Sequence, residues 1–315
     1  MPCVGRHRGL SALLAVLAAA SCGGGGGATA SAPAPAGRIV ATLDAGLRPC
    51  AMTVAAGSVW ITAYGDGVLA QVDPATNAVT KHKIGVQPCG ITYAGRWLWV
   101  ARLGTSDIAR VSPKTGSVTK VVALGGQAWD VQHTAGAVWV SDRTGNRVLR
   151  LDPHTGRITG RVTLEYSLSG LGVTADGVWV ANDAKGTASR IDPTRDRVTA
   201  SVTVGHAMPV WFAADRDSLW VASSGDNTVS RIDPATAKVT ATVHTCKTPL
   251  DLGLAAGDVW VPCNGDGTLE RIDPSTDRVT GKLHLASGIF VAQEAFGDVW
   301  ALRYSSTQVW RIAPS

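Results

Sequence analysis

The stretch VWVANDAKGTASRIDP, residues 178–193, decides the fold because its pattern returns along the whole chain. Its tryptophan belongs to the series Trp60, Trp99, Trp139, Trp179, Trp220, Trp260 and Trp300, spaced 39, 40, 40, 41, 40 and 40 residues apart. Thirteen residues after each comes Asp73, Ser112, Asp152, Asp192, Asp233, Asp273 or Ala313, in every case followed by proline. Within a unit, apolar residues alternate and turn signals recur every 8–12 residues, which reads as a meander of short strands. A fixed period near 40 built from such units is the sequence form of propeller blades. The Asp-Pro step has a local reason. The carboxylate accepts hydrogen bonds from its own turn, proline presets φ, and Gly116 or Gly156 supplies a positive φ. The repeated aspartates therefore read as structural, and the repeated Arg110, Arg150, Arg190, Arg231, Arg271 and Arg311 as a ring of solvated or blade-bridging side chains.

Strand counting predicts how the ring closes. The seventh repeat stops after its third strand, at Ile312-Ala313-Pro314-Ser315, while Gly37 to Leu43 matches the fourth strand of a blade such as Lys238 to Val243. The expectation is an all-β, seven-bladed propeller over residues 37–315, with four-stranded blades and the N-terminal strand completing the last one, so that no sheet edge stays open. With 315 residues, 45% hydrophobic and 17% charged, the chain has enough material for such a core and too regular a pattern for disorder. The formal charge is +5, or +3 without Arg6 and Arg8, which is low for a dedicated nucleic-acid binder.

Residues 1–21 read as an export signal, with basic Arg6 and Arg8 ahead of the apolar run Leu10 to Ala20. That run is too short to span a bilayer as a helix. Leu17-Ala18-Ala19-Ala20-Ser21-Cys22 resembles a bacterial lipobox, which makes Cys22 the expected lipid acceptor. Residues 22–36 read as the lipidated cysteine and a Gly/Ala/Pro tether. The expected location is the outer face of the cytoplasmic membrane, held by the lipid alone. An even set of four cysteines remains, and an exported chain favours disulfides over metal sites. Cys50 and Cys89 hold equivalent places in adjacent blades, and Cys246 and Cys263 flank one hairpin, so the pairs 50–89 and 246–263 are predicted.

Val178-Trp179-Val180-Ala181-Asn182 and Thr228 to Thr236 resemble the YVTN-repeat, YncE-like propellers, and are also similar to the virginiamycin B (streptogramin) lyase propellers. The lyase resemblance implies a divalent metal with His in a Pro-His-Gly-Ile element and Glu shortly after the repeat tryptophan. Here Pro88-Cys89-Gly90-Ile91 has cysteine in the histidine's place. Three residues after the tryptophans stand Ala63, Arg102, Asp142, Asn182, Ser223, Cys263 and Arg303. A base and metal ligands are what that elimination needs, so no catalytic residue, metal or cofactor is expected. The YncE-like resemblance implies single-stranded nucleic-acid binding as a further alternative, which the modest charge disfavours.

Propeller ligands sit over the channel mouth, on loops joining fourth to first and second to third strands. There the repeats diverge, and the candidate rim is Arg48, Gln87, Arg102, Trp129, Asp130, Asp142, Asp183, His206, Trp211, Asp251, Arg303 and Tyr304. Aromatic and arginine side chains dominate contact energies at recognition surfaces. The expected partner is thus an envelope protein, peptide, glycan or small ligand, met by a monomer. Asp130 with Asp142 falls short of the oxygen count calcium takes.

Overall fold

The computed structural model describes residues 33–205, 208–215 and 217–315. Over these residues the chain forms seven antiparallel four-stranded blades and no helix. The strands of blade 1 are Pro49–Ala55, Ser58–Ala63, Val68–Val72 and Val79–Lys83, and blades 2 to 6 repeat the meander. Blade 7 takes Ile289–Ala295, Asp298–Arg303 and Gln308–Pro314 from the C-terminal end and Gly37–Asp44 from the N-terminal side, in the register Gly37 with Pro314 and Asp44 with Gln308. The ring closes as the strand count predicts. One element was not anticipated: Ala34–Pro35, read as tether, pairs in parallel with Gly281 and Lys282 on the outer strand of blade 6, and Ala36 is fully buried there.

The seven repeat tryptophans are all fully buried, each in the second strand of its blade. Trp60, Trp139, Trp260 and Trp300 donate the indole N–H to the carbonyl five residues back, and Trp179 donates to the Thr174 hydroxyl. Each packs between neighbouring blades, as Trp300 of blade 7 does with Val59, Ile61 and Val72 of blade 1. Large apolar side chains shared in this way make the blade interfaces the core of the molecule.

The repeated arginines are blade-bridging. Arg110, Arg150, Arg190 and Arg231 each reach into the following blade and donate to a backbone carbonyl of its Asp-Pro turn: His154, Pro193, Pro234 and Pro274. Arg271 reaches the Ser315 carbonyl in blade 7, and Arg311 donates to the Pro74 carbonyl of blade 1, across the closure. Blade 1 has Gln71 in the equivalent position, and its amide stays within its own blade on Ser58. The junction of blades 1 and 2 is instead spanned by Cys50 and Cys89, which lie at disulfide distance with Cα atoms 5.1 Å apart. Cys246 and Cys263 form the second such pair, 5.7 Å apart.

The Asp-Pro turns behave as their sequence requires. Asp73, Asp152, Asp192, Asp233 and Asp273 accept backbone N–H bonds from the two following turn residues after proline or from the first of them. Hydroxyls of the turn, foremost for Asp192, Asp233 and Asp273, and these N–H bonds, foremost for Asp73 and Asp152, hold the carboxyls below the usual range.

Candidate functional site

The first strands of the blades line the channel, and residues at their start form a ring at its mouth, with Leu250 just ahead of its strand Gly253–Ala255. Cys50, Cys89, Trp129, Ser169, Val210, Leu250 and Phe290 occupy it, with Ala51, Gly90, Asp130, Gly170, Trp211, Asp251 and Val291 one step further in. The glycines of the second ring are required by close approach. A Cβ on Gly90 would lie 2.9 Å from the Asp130 Cα, and one on Gly170 2.5 Å from the Trp211 ring.

The aromatic residues converge. Trp211 stacks on Trp129, centroids 6.2 Å apart, and meets Phe290 edge-on at 4.9 Å; Phe290 lies 5.3 Å from Tyr304, which lies 5.9 Å from Tyr64. Arg48 covers Tyr304 and Arg143 covers Trp129, at 5.8 and 4.7 Å. Burial, with the neighbouring Tyr64, pushes the Tyr304 hydroxyl up. Together with Leu103 and the 50–89 pair, Tyr64, Trp129, Phe290 and Tyr304 line a pocket of about 180 Å³ at the mouth. Tyr64 and Phe290 were missing from the sequence-based rim, although both carried a signal. Tyr64 stands four residues after its repeat tryptophan, the place Tyr304 holds in blade 7, and Phe290 shares Trp129's ring position.

The same repeat position divides the mouth into two halves. Tyr304, Tyr64 and Leu103 put apolar groups on blades 7, 1 and 2, while Arg143, Asp183, Ser224 and Asn264 put polar groups on blades 3 to 6. Arg143 and Asp183 pair across blades at 2.9 Å.

Most other charged residues of the expected rim are engaged internally. Arg102 holds Asp107 through two bonds of 2.7 and 2.8 Å and also donates to the Ile84 carbonyl. Asp142 is fully buried, accepting from Arg147 and the Gly145 N–H. Arg303 donates to the Ser287 carbonyl and to Gln308. These groups brace the hairpins joining second and third strands. Gln87, at φ 53°, forms the tight turn into blade 2, and its carbonyl accepts from Leu103. His206 lies outside the described residues.

Asp130 and Asp251 sit behind the aromatic plug. They line a separate cavity of about 230 Å³ with Met52, Trp211, Gln132, Gln293 and Glu294, and this cavity shares no lining residue with the mouth pocket. Asp130 accepts from the Val131 and Leu171 N–H groups at 2.7 and 2.8 Å. Burial raises both carboxyls, and for Asp251 the like charge of Asp130 adds to it. A carboxyl raised in the folded state binds a proton there at pH values where the unfolded chain has lost it, so its contribution to stability falls as pH rises through that window. Asp251→Asn removes this loss. Denaturant midpoints of variant and wild type are expected to coincide near pH 4 and to separate steadily toward pH 8, with the variant more stable. A constant gap at all pH values would contradict this.

No protein-family model matches the sequence, and no curated protein matches it. Among solved structures, the chain is similar to virginiamycin B lyase from Staphylococcus aureus, with TM-score 0.76 and 17% identity over 87% of this chain and 99% of that one. It is similar also to the β-propeller domain of Cps50 (Swd1) from Myceliophteria thermophila, with TM-score 0.75 and 11% identity over 89% of this chain and all of that domain. Both likenesses concern the fold.

The residues here do not fit the metal that the lyase resemblance implies. Cys89, in the histidine's place, is tied to Cys50. At the positions expected to hold glutamate, Asp142 is spent on Arg147, Asn182 accepts from the Lys185 N–H, Ser223 donates to the Val204 carbonyl and Cys263 pairs with Cys246. The one group of potential metal donors among the described residues, Cys246, Cys263 and Glu270, contains that same cysteine pair.

Proposed function

We propose that this is a non-catalytic recognition propeller, exported and held at the cell envelope by a lipid on Cys22, which binds its ligand at the channel mouth. The observation that carries the reading is the pocket of Tyr64, Trp129, Phe290 and Tyr304 beside the polar half built by Arg143, Asp183, Ser224 and Asn264. An amphipathic ligand matches this division. One apolar group, such as a peptide side chain or the face of a sugar ring, enters the pocket, and polar groups meet blades 3 to 6. Aromatic side chains give large contact area at small entropic cost. The two cysteine pairs fit an oxidising compartment. No helix among the described residues is long and apolar enough to cross a membrane.

The test is a crosslinking pull-down from native envelopes with residues 33–315 as bait, beside a Trp129→Ala/Tyr304→Ala bait whose fold is checked by circular dichroism. The expected outcome is a partner captured by the first and lost by the second. A partner retained by both places the interface elsewhere. Turnover of a cyclic peptide lactone that needs added Mg²⁺ and stops with EDTA would replace this reading with the lyase alternative.

A further inference from the structure

The lower channel holds a second arrangement, independent of the mouth. Behind Trp211 the cavity of about 230 Å³ runs past Gln132, Gln293 and Glu294 into a second of about 310 Å³, which shares those three residues and is bounded by Phe212, Leu252 and Leu254. The first cavity is also lined by Val54, which is 40% exposed near the far end of its strand. Asp130 and Asp251 are 6% and 7% exposed, and among the described residues no lysine, arginine or histidine lines either cavity. Two carboxylates buried without a counter-charge are costly.

Their bonding differs in a way that points to a ligand. Asp130 is saturated by the Val131 and Leu171 N–H groups, with the Gln132 side chain in support. Asp251 accepts only one long bond, 3.4 Å from the Gln293 amide to Oδ2, and its Oδ1 has no partner among the described residues. Its backbone is fixed by bonds to Phe290 and Ala292, so the half-free carboxylate is held rigidly in the cavity wall.

We propose that the lower channel binds a compact aliphatic ammonium ion, with its charge against Asp251 beside Asp130 and its carbon chain against Met52 and the Trp211 ring. A divalent metal suits the site less well. Calcium takes about 6–8 oxygen ligands, whereas the oxygens of Asp130 are already engaged. An indole face attracts organic cations instead. The part of the channel beside Asp251, about 230 Å³, is below the roughly 300–1,000 Å³ of drug-sized pockets, so the charged end of the ligand and its first few carbons fill it.

The test is isothermal titration of residues 33–315 with n-butylammonium chloride, n-butanol and CaCl₂ in parallel at pH 8. Saturable butylammonium binding at least tenfold tighter than butanol is expected. Asp251→Asn should weaken it at least tenfold, while Tyr304→Ala at the mouth leaves it unchanged. The acidic groups facing the cavity are Asp130, Asp251 and Glu294, and burial raises the Asp130 and Asp251 carboxyls, so acid neutralises them and binding should weaken at pH 5. The absence of butylammonium binding to wild type, equal binding of butanol, or calcium binding in its place would each overturn the proposal, and none of these needs a variant to fold. Loss of binding in Tyr304→Ala with retention in Asp251→Asn would move the site to the mouth.

Discussion

Deletion of residues 33–44 is expected to cost the propeller its single cooperative unfolding transition. Gly37–Asp44 is the outer strand of blade 7, and pairing of Thr42 with Trp310 and Leu43 with Val309 covers an edge that is otherwise open. Without it the ring is held shut by the packing of blade 7 on blade 1, by Arg311 and by the bonds of Ala45 and Arg48 to the Thr307 and Ser306 carbonyls. The eight residues of the strand carry a hydrogen-bond ladder worth about 0.5–1.5 kcal/mol net per bond, against a typical total stability of about 5–15 kcal/mol. The uncovered edge is also a template for pairing with other chains. Thermal melting by circular dichroism should lose its sharp transition, and size-exclusion chromatography should show oligomers. A synthetic peptide of residues 37–44 added in excess should restore the monomer peak. A sharp melt and a monomer peak in the deletion protein without peptide would show that the first three strands of blade 7 suffice.

Trp179→Ala should lower unfolding free energy by about 3–5 kcal/mol, the range for a large aromatic removed from a packed core. Trp179 is fully buried among Ala181, Leu219, Val221 and Ile232, on both sides of the interface between blades 4 and 5, so the cavity has rigid walls. The Thr174 hydroxyl also loses the indole N–H it accepts. Trp129→Ala is the informative contrast. Trp129 is only partly buried and faces the mouth pocket, so its loss should cost less than about half as much while abolishing capture of the mouth ligand. Urea unfolding of both variants measures the difference. Equal losses would mean that the mouth aromatics are scaffold, which would remove the basis for reading them as a platform.

The scaffold was legible in the sequence because each of its parts repeats. Trp179 is recognisable from its six counterparts and Asp192 from four, and the unfinished seventh repeat pointed to Gly37–Asp44. The parallel pairing of Ala34–Pro35 left no such trace, since it occurs once and depends on which outer strand lies nearby. The site was harder to read because its residues differ from blade to blade. Arg102, Asp142 and Arg303 looked available as isolated charges, and only the hairpin geometry shows that Asp107, Arg147 and Gln308 take them up. Asp130 and Asp251 looked like rim residues of the same surface as Tyr304. They lie instead in the cavity behind Trp211, where the large indole at the same ring level covers the two small carboxylates.

Six of the seven joints between blades carry an arginine latch, and the seventh, between blades 1 and 2, carries the Cys50–Cys89 pair. The molecule thus has a built-in seam that a redox-sensitive pair spans in place of an arginine latch, whereas the joint beside the second pair, Cys246–Cys263, keeps its latch through Arg231. Under a thiol reductant the ring should part first at that seam. The first signs of opening would appear at Ala51, Thr62 and Ile91, with the opposite side of the ring still intact.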